Sequence, residues 1–325
     1  MAETFRWGVI GPGKIAQKFA QDVRVVDGSE IYAVASLSGA REFVKTFSVP
    51  VAYTSYEDLV NDPKVDGVYI ATPHHLHFEN ARLCLAAGKP VLCEKPLTVN
   101  ARQAEMLIEL SKEKNVFLME ALWTRYLPIY QTLRRMLDQG VIGDIRAMQS
   151  TFGFIANQDE KGRWLNPELA GGTLLDLGIY PIAVSQWIMQ ENPVSVQSQA
   201  VLSSTGVDVI LAVNLQYSSG AISQFTSSFI HKAANQFAIY GSKGSIVIQE
   251  PFWGGNAVVV EADGTRTTFH EPFRSQGFEY QIEEAVRCIR EGLLESPSMT
   301  HADSLANMRL MDLIREQVGV IYPFE

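Results

Sequence analysis

The chain has 325 residues, 46% of them hydrophobic and 19% charged, an ordinary globular balance at a length that usually needs about two cores. A formal net charge of −9 excludes an obvious nucleic-acid or anionic-membrane surface, since both draw on clustered Lys and Arg to neutralise phosphates. Residues 1–6 lack a basic segment followed by an apolar run, and no apolar stretch exceeds strand length. Neither a signal peptide nor a membrane span is therefore expected, and the expected compartment is the cytoplasm.

An apolar strand ending at Ile10 runs into Gly11-Pro12-Gly13-Lys14-Ile15-Ala16, a glycine turn that opens a helix. Gly11 suits a tight turn, Gly13 lets the backbone approach a pyrophosphate, and Ala16 lets helix and strand pack closely. The N–H groups at the helix start, around Lys14 and Ile15, then face the phosphates. A plain loop, a methyltransferase or a flavin site can carry the same letters, and the βαβ context favours a dinucleotide. That context follows, as a helix to about Arg24 and an apolar run 31–36. NAD-preferring sites place Asp or Glu at the end of this second strand. Here stands Ser36, followed by Leu37, Ser38, Gly39, Ala40 and Arg41. A hydroxyl, loop amides and the Arg41 guanidinium suit a 2′-phosphate, so NADP is expected, with NAD as the alternative. The plainer reading of Arg41 is a solvated helix residue.

A short strand 51–53, a helix from Tyr56 and a buried strand 67–71 lead to Thr72-Pro73-His74-His75-Leu76-His77. Lying after a strand's carboxyl end, this loop is expected to edge the cofactor through Thr72, Pro73, His74 and His77, with His77 opening the helix 77–87. Three histidines invite a metal, but no further ligand set nearby has the spacing, so no metal is expected. Strand 91–93 ends in Glu94-Lys95-Pro96, a charged pair that is costly at the ligand end of a strand unless partnered. A surface ion pair is the alternative. With helix 101–114 and strand 116–119, about six strands alternate with helices, which predicts an α/β doubly wound parallel sheet over 1–121.

Beyond Trp123 the period changes. Strand-like runs at 145–154, 194–202, 207–217, 221–229, 236–240, 245–250, 257–261 and 265–270 are joined by turns such as Ser218-Ser219-Gly220 and Asp263-Gly264. They predict hairpin-linked strands in an α+β domain with a largely antiparallel open sheet over 122–325, with helices at 129–139, 173–190, 278–294 and 302–318. Alternation within 207–213 is poor, as though both sheet faces were covered, so a homodimer or higher homo-oligomer through this sheet is expected. Cys84, Cys93 and Cys288 are odd in number and in no CxxC spacing, which suits buried thiols in a reducing compartment. On helix 173–190, Asp176 and Tyr180 share a face by their spacing of four, and Pro181 is expected to bend the helix beside Tyr180. A satisfied core pair would look the same.

Together, Gly11-x-Gly13-x-x-Ala16, Thr72-Pro73, Cys93-Glu94-Lys95-Pro96 and Gly172-Thr173-Leu174-Leu175-Asp176-Leu177-Gly178-Ile179-Tyr180 resemble the Gfo/Idh/MocA family of nicotinamide-dependent oxidoreductases along the whole chain. Met119 to Pro128 looks most like its dimeric dihydrodiol dehydrogenase and NADP-dependent xylose dehydrogenase branch. The resemblance implies that Lys95 reaches the substrate hydroxyl and nicotinamide ribose. It implies that Asp176 holds the substrate or orients Lys95, and that Tyr180, a His in many relatives, exchanges the substrate proton. Glu94 and Pro73 would line the nicotinamide pocket. The branch commonly has Arg where this chain has Leu37, which leaves Arg41 as the substitute. Trp123, Phe152, Phe154 and Trp164 lie in segments that would wall a pocket for a polyol, sugar or cyclic diol, or serve as plain core. A cofactor-binding sensor without chemistry and a methyltransferase are the competing readings. Neither gives Lys95, Asp176 and Tyr180 a task.

Overall fold

Gly67-Val68-Tyr69-Ile70 and Val91-Leu92-Cys93-Glu94 are buried at every position, as strands covered on both faces must be. In the computed structural model, which describes residues 3–37 and 39–325, they are β4 (Gly67–Ile70) and β5 (Val91–Glu94) of a six-stranded sheet. The others are β1 (Phe5–Ile10), β2 (Ser29–Ala35), β3 (Val51–Tyr53) and β6 (Leu118–Ala121). The order β3-β2-β1-β4-β5-β6, parallel throughout, is that of a dinucleotide fold whose switch point lies between β1 and β4. Helices α1 (Lys14–Asp22), α2 (Ala40–Phe47), α3 (Tyr56–Asn61), α4 (His77–Ala86) and α5 (Ala101–Lys114) alternate with the strands. Ser55 and Asn100 cap α3 and α5 by accepting from Asp58 N and Gln103 N, as short polar side chains do at helix starts. Ser38 lies outside the described residues.

The chain divides into two compact units, Met1–Trp123 with Phe273–Leu305, and Thr124–Pro272 with Ala306–Glu325. Residues 273–305, which chain order places in the second domain, therefore pack with the first. Two contacts explain this. Buried Asp22 accepts from Ser275 Oγ, Gln276 N and Phe278 N at 2.6, 3.1 and 2.7 Å, ahead of a helix at Glu279–Arg290 (α8, numbered after α6 and α7 below). Leu118 N of β6 donates to Leu294 O at 3.0 Å.

The second unit holds α6 (Pro128–Asp138), β7 (Ile145–Gly153), α7 (Ile179–Met189), β8 (Ser195–Leu202), β9 (Asp208–Gln216), β10 (Ile222–Ser228), β11 (Phe237–Gly241), β12 (Gly244–Ile248), β13 (Ala257–Ala262) and β14 (Thr265–His270). The last helix, α9 (His301–Val318), contains the boundary between the units. The sheet order is β14-β13-β12-β11-β7-β10-β9-β8. Seven pairs could all have been hairpin-like, but β7 and β10 pair in parallel, because the chain between them is long enough for a crossover. The poor alternation at 207–213 also has a local cause. Val207, Asp208 and Val209 are covered on both sides, whereas beyond them Leu211, Val213 and Leu215 are buried while Ala212, Asn214 and Gln216 are exposed. One face of this sheet is thus open in the single chain.

Candidate active site

In the first unit the carboxyl ends of the parallel strands gather the residues expected to hold a cofactor. Gly11 has φ +87°, and a Cβ there would lie 2.9 Å from Ala71 C and Thr72 N, so only glycine fits. Gly13 is the N-cap of α1, no side chain caps that helix, and a Cβ on Gly13 would meet nothing within 4 Å. A helix start with uncapped N–H groups at Lys14 and Ile15 and open space before it fits a pyrophosphate. Ser36 directly follows β2, its N–H donating to Tyr53 O at 3.2 Å. Arg41 is exposed in the first turn of α2, and Leu37 is 81% exposed.

The Thr72 loop is built around one buried histidine. His77 is 0% exposed, its Nδ1 and Nε2 lying 2.8 and 2.9 Å from the carbonyls of Pro96 and Thr72. Burial pushes its pKa down to about 4 against the opposing pull of the two carbonyls, so the ring is neutral at pH 7. It ties the Thr72 loop to the Pro96 loop, a tethering place rather than the ligand-edging one expected from sequence. Thr72 is held further by Asn80 Nδ2, 3.1 Å from its Oγ1. Pro73 is exposed, and His74 opens a short turn, its ring centroid 5.7 Å from that of His77. His74, His75 and His77 form no metal-holding group with Cys, Asp or Glu among the described residues.

Glu94 is buried at the end of β5 and accepts from Tyr69 Oη at 2.5 Å. Burial raises its pKa, while Tyr69 and the Lys95 charge pull it back down. Lys95 is half-buried beside it. The loop after Lys95 is pinned by Glu120, which accepts from Leu97 N at 2.9 Å and Ser304 Oγ at 2.7 Å. Sequence reasoning missed this role, for which the one signal was a carboxylate within a buried strand. Trp123 is 8% exposed, with Phe278 edge-on at 5.0 Å.

In the second unit the segment carrying Asp176 and Tyr180 begins as a π-turn, Leu174–Gly178, and continues as α7. The wide turn takes the place of the bend expected at Pro181, which falls in the first turn of α7. π-turns of this kind recur at functional sites. Asp176 Oδ1 pairs with Arg163 Nη2 at 2.9 Å, a partner absent from the sequence reading. Tyr180 lies against an aromatic wall, its centroid 5.9 Å from Phe152 and 6.3 Å from Trp253, which are themselves stacked at 3.4 Å. Phe154 and Trp164 pack around Phe229 instead, with the Arg163 guanidinium 5.5 Å from the Trp164 ring. The expected aromatics thus sort into separate groups, and Trp253 joins unannounced from the loop after β12.

The start of the π-turn is clamped by two residues from elsewhere in the unit. Buried Asp208 accepts from Thr173 Oγ1 at 2.5 Å and Leu174 N at 2.8 Å, and burial raises its carboxyl to about 6. Buried Tyr322 donates to Gly171 O at 2.8 Å.

Residues 5–122 match the model of an oxidoreductase family with an NAD-binding Rossmann fold, and residues 130–247 match the GFO/IDH/MocA C-terminal domain. The chain belongs to the GFO/IDH/MocA family. As a member of it, the protein is a nicotinamide-dependent oxidoreductase with a parallel nucleotide-binding sheet and a largely antiparallel second sheet. It is 37% identical to a trans-1,2-dihydrobenzene-1,2-diol dehydrogenase of Sus scrofa and 36% identical to one of Danio rerio, each alignment covering 98% of both chains. A solved structure of KijD10, a 3-ketoreductase from Actinomadura kijaniata bound to NADP and TDP-benzene, superposes with a TM-score of 0.87 at 27% identity, covering 97% of this GFO/IDH/MocA chain and 98% of that one. No helix among the described residues is long and apolar enough to cross a membrane.

Proposed function

We propose that this chain interconverts a secondary alcohol and its carbonyl in a sugar or cyclic vicinal diol, with Lys95 and Tyr180 handling the proton and Asp176 holding the substrate. The observation that carries the reading is the second-unit cluster. The Tyr180 phenol, four residues after the Asp176 carboxylate, stands beside the stacked Phe152–Trp253 pair, and such a wall suits the apolar face of a ring while the phenol takes one of its hydroxyls. The full-length similarity to dihydrodiol dehydrogenases supports the same substrate class.

The nicotinamide, when bound, supplies the hydride acceptor or donor. The chain supplies the rest. An alcohol carbon that gives up hydride must also lose its hydroxyl proton, so a base is needed near working pH. Tyr and Lys ordinarily titrate near 10, and a neighbouring positive charge lowers both, by stabilising phenolate and by repelling ammonium. Tyr180 exchanges the proton, Lys95 supplies the charge that makes this possible, and Arg163 aims Asp176. Glu94, Pro73, Thr72 and His74 border the nicotinamide, with His77 behind them. Ser36 and Arg41 receive a 2′-phosphate, which makes NADP the cofactor and NAD the alternative.

Titration with NADPH and with NADH, read by nicotinamide fluorescence, is expected to give at least about tenfold tighter NADPH binding, the worth of one charge-assisted contact. Turnover of a polyol, aldose and cyclic-diol panel with NADP should follow. Binding of neither dinucleotide, or binding without turnover of any panel member, would defeat the proposal.

The second sheet carries a further part of the reading, a homodimer in the cytoplasm. Across its open face Gln197, Asn214, Gln224, Gln149 and Ala238 form one uncharged row, with Ile222 and Tyr240 exposed beside it. A broad face whose middle carries no charge, with the Glu261–Arg266 pair only toward the β13–β14 edge, suits a second copy of itself. Sedimentation equilibrium is expected to give a dimer. A mass equal to one chain at every concentration would refute this part.

A further inference from the structure

Among the described residues, Thr173 at the start of the π-turn makes no capping bond to its own helix, although a threonine there usually does. Its hydroxyl donates instead to Asp208 Oδ2 at 2.5 Å, and the same oxygen accepts from Leu174 N at 2.8 Å. The cap of this helix is therefore a carboxylate supplied by β9. It is a costly one, because Asp208 is 1% exposed and its Oδ1 has no donor among the described residues. A local hydroxyl cap would have served the helix end alone.

What the carboxylate adds is position. Leu174 is the residue on which the wide turn closes, since its carbonyl accepts from Ile179 N, five residues on. With its N–H on Asp208 and its carbonyl on Ile179, Leu174 is fixed at both ends, two residues before Asp176. Just upstream, Tyr322 Oη donates to Gly171 O at 2.8 Å and Gly172 N donates to Trp164 O at 2.9 Å. The latter bond joins the π-turn to the loop of Arg163, the ion-pair partner of Asp176. All of these residues belong to the second unit. A turn closed over five residues rotates each residue by less than one closed over four, so the width of the turn decides where Asp176 points relative to Tyr180. We propose that Thr173 and Asp208 are positioning residues of the reaction: their hydrogen bond holds the turn in its wide form, and that form directs Asp176 at the substrate. This rests on the reading above, in which Asp176 and Tyr180 serve one substrate.

The test compares wild type with Thr173→Val, which keeps the shape and removes the donor, and with Thr173→Ser, which restores it. Thr173→Ala is a second variant without the donor should valine not fold. Rates are divided by the NADPH-binding sites counted in a fluorescence titration, so that unfolded chains do not enter. In the valine and alanine variants kcat per site is expected to fall at least about tenfold and KM for the best panel substrate to rise at least about threefold, with NADPH affinity within about twofold of wild type. Misplacement by about 1 Å can cost up to about 10²-fold in rate. Serine should bring kcat back to within about threefold. In a Tyr180→Phe background, Thr173→Val should cost clearly less than it does alone, because the first substitution has already removed the group being served. A kcat per site within twofold of wild type in Thr173→Val, beside a Tyr180→Phe that is impaired, would overturn the inference and leave the dehydrogenase reading standing. A loss of NADPH affinity in step with kcat, or full additivity with Tyr180→Phe, would overturn it by showing a general loosening of the fold. Bound NADPH with no sugar or diol turned over by wild type would overturn the proposed function and this inference with it.

Discussion

Tyr180→Phe is expected to lower kcat by about 10²- to 10⁴-fold, the usual worth of a positioned proton-transfer group, while NADPH binding stays within about twofold. Phenylalanine keeps the ring against Phe152 and Trp253, so the melting temperature should hardly change. What it removes is the hydroxyl. Lys95→Met should produce a loss of similar size, because the proposed mechanism gives its charge a part in the same proton transfer. The two losses should not add in the double variant, since both residues serve one proton transfer. Steady-state kinetics with the best panel substrate, beside a fluorescence titration of NADPH, checks each point. Full turnover in either single variant would remove that residue from the reaction. A variant that loses NADPH affinity in step with kcat would mark its residue as a cofactor contact instead.

Gly172→Ala carries the largest expected effect on stability. Gly172 has φ +111°, a conformation that side chains rarely adopt, and a Cβ there would lie 2.3 Å from buried Asp208 Oδ1. The same carboxylate holds Thr173 and Leu174 at the start of the π-turn, so it cannot swing away without releasing the segment that carries Asp176 and Tyr180. Backbone strain and the clash together should cost roughly 3 kcal/mol or more, a drop in melting temperature of about 5 °C for a chain of this size. Asp208→Ala removes the obstructing oxygen as well as the clamp. Adding Gly172→Ala to it should therefore cost clearly less than Gly172→Ala does in the wild-type background. Calorimetry of the four proteins reads this coupling directly. Strict additivity would mean that the carboxylate and the glycine do not constrain each other.

The parts of this protein determined by its amino-acid sequence alone are those written in short-range chemistry. The glycine turn at 11–16, the alternation of strands and helices to residue 121, and the Glu94-Lys95-Pro96 ending of a buried strand are each set by neighbours within a few positions. Periodicity and turn residues record such neighbours. The Asp176–Tyr180 spacing belongs with them, because helical geometry puts residues four apart on one side. Tertiary structure alone decided which distant side chains meet them. Arg163 on Asp176, Trp253 beside Tyr180, Asp208 and Tyr322 at the π-turn and Glu120 under the Lys95 loop leave no local pattern from which to be found. Residues 273–305 returned to the first unit for the same reason, since the buried carboxylate of Asp22 that draws them there is some 250 positions away in the chain. His77 makes the distinction within one residue. Its place at the head of a helix follows from local order, but whether its ring met a ligand or two backbone carbonyls depended on how the Thr72 and Pro96 loops packed. Packing at that range is set by the fit of whole elements, not by the residues on either side.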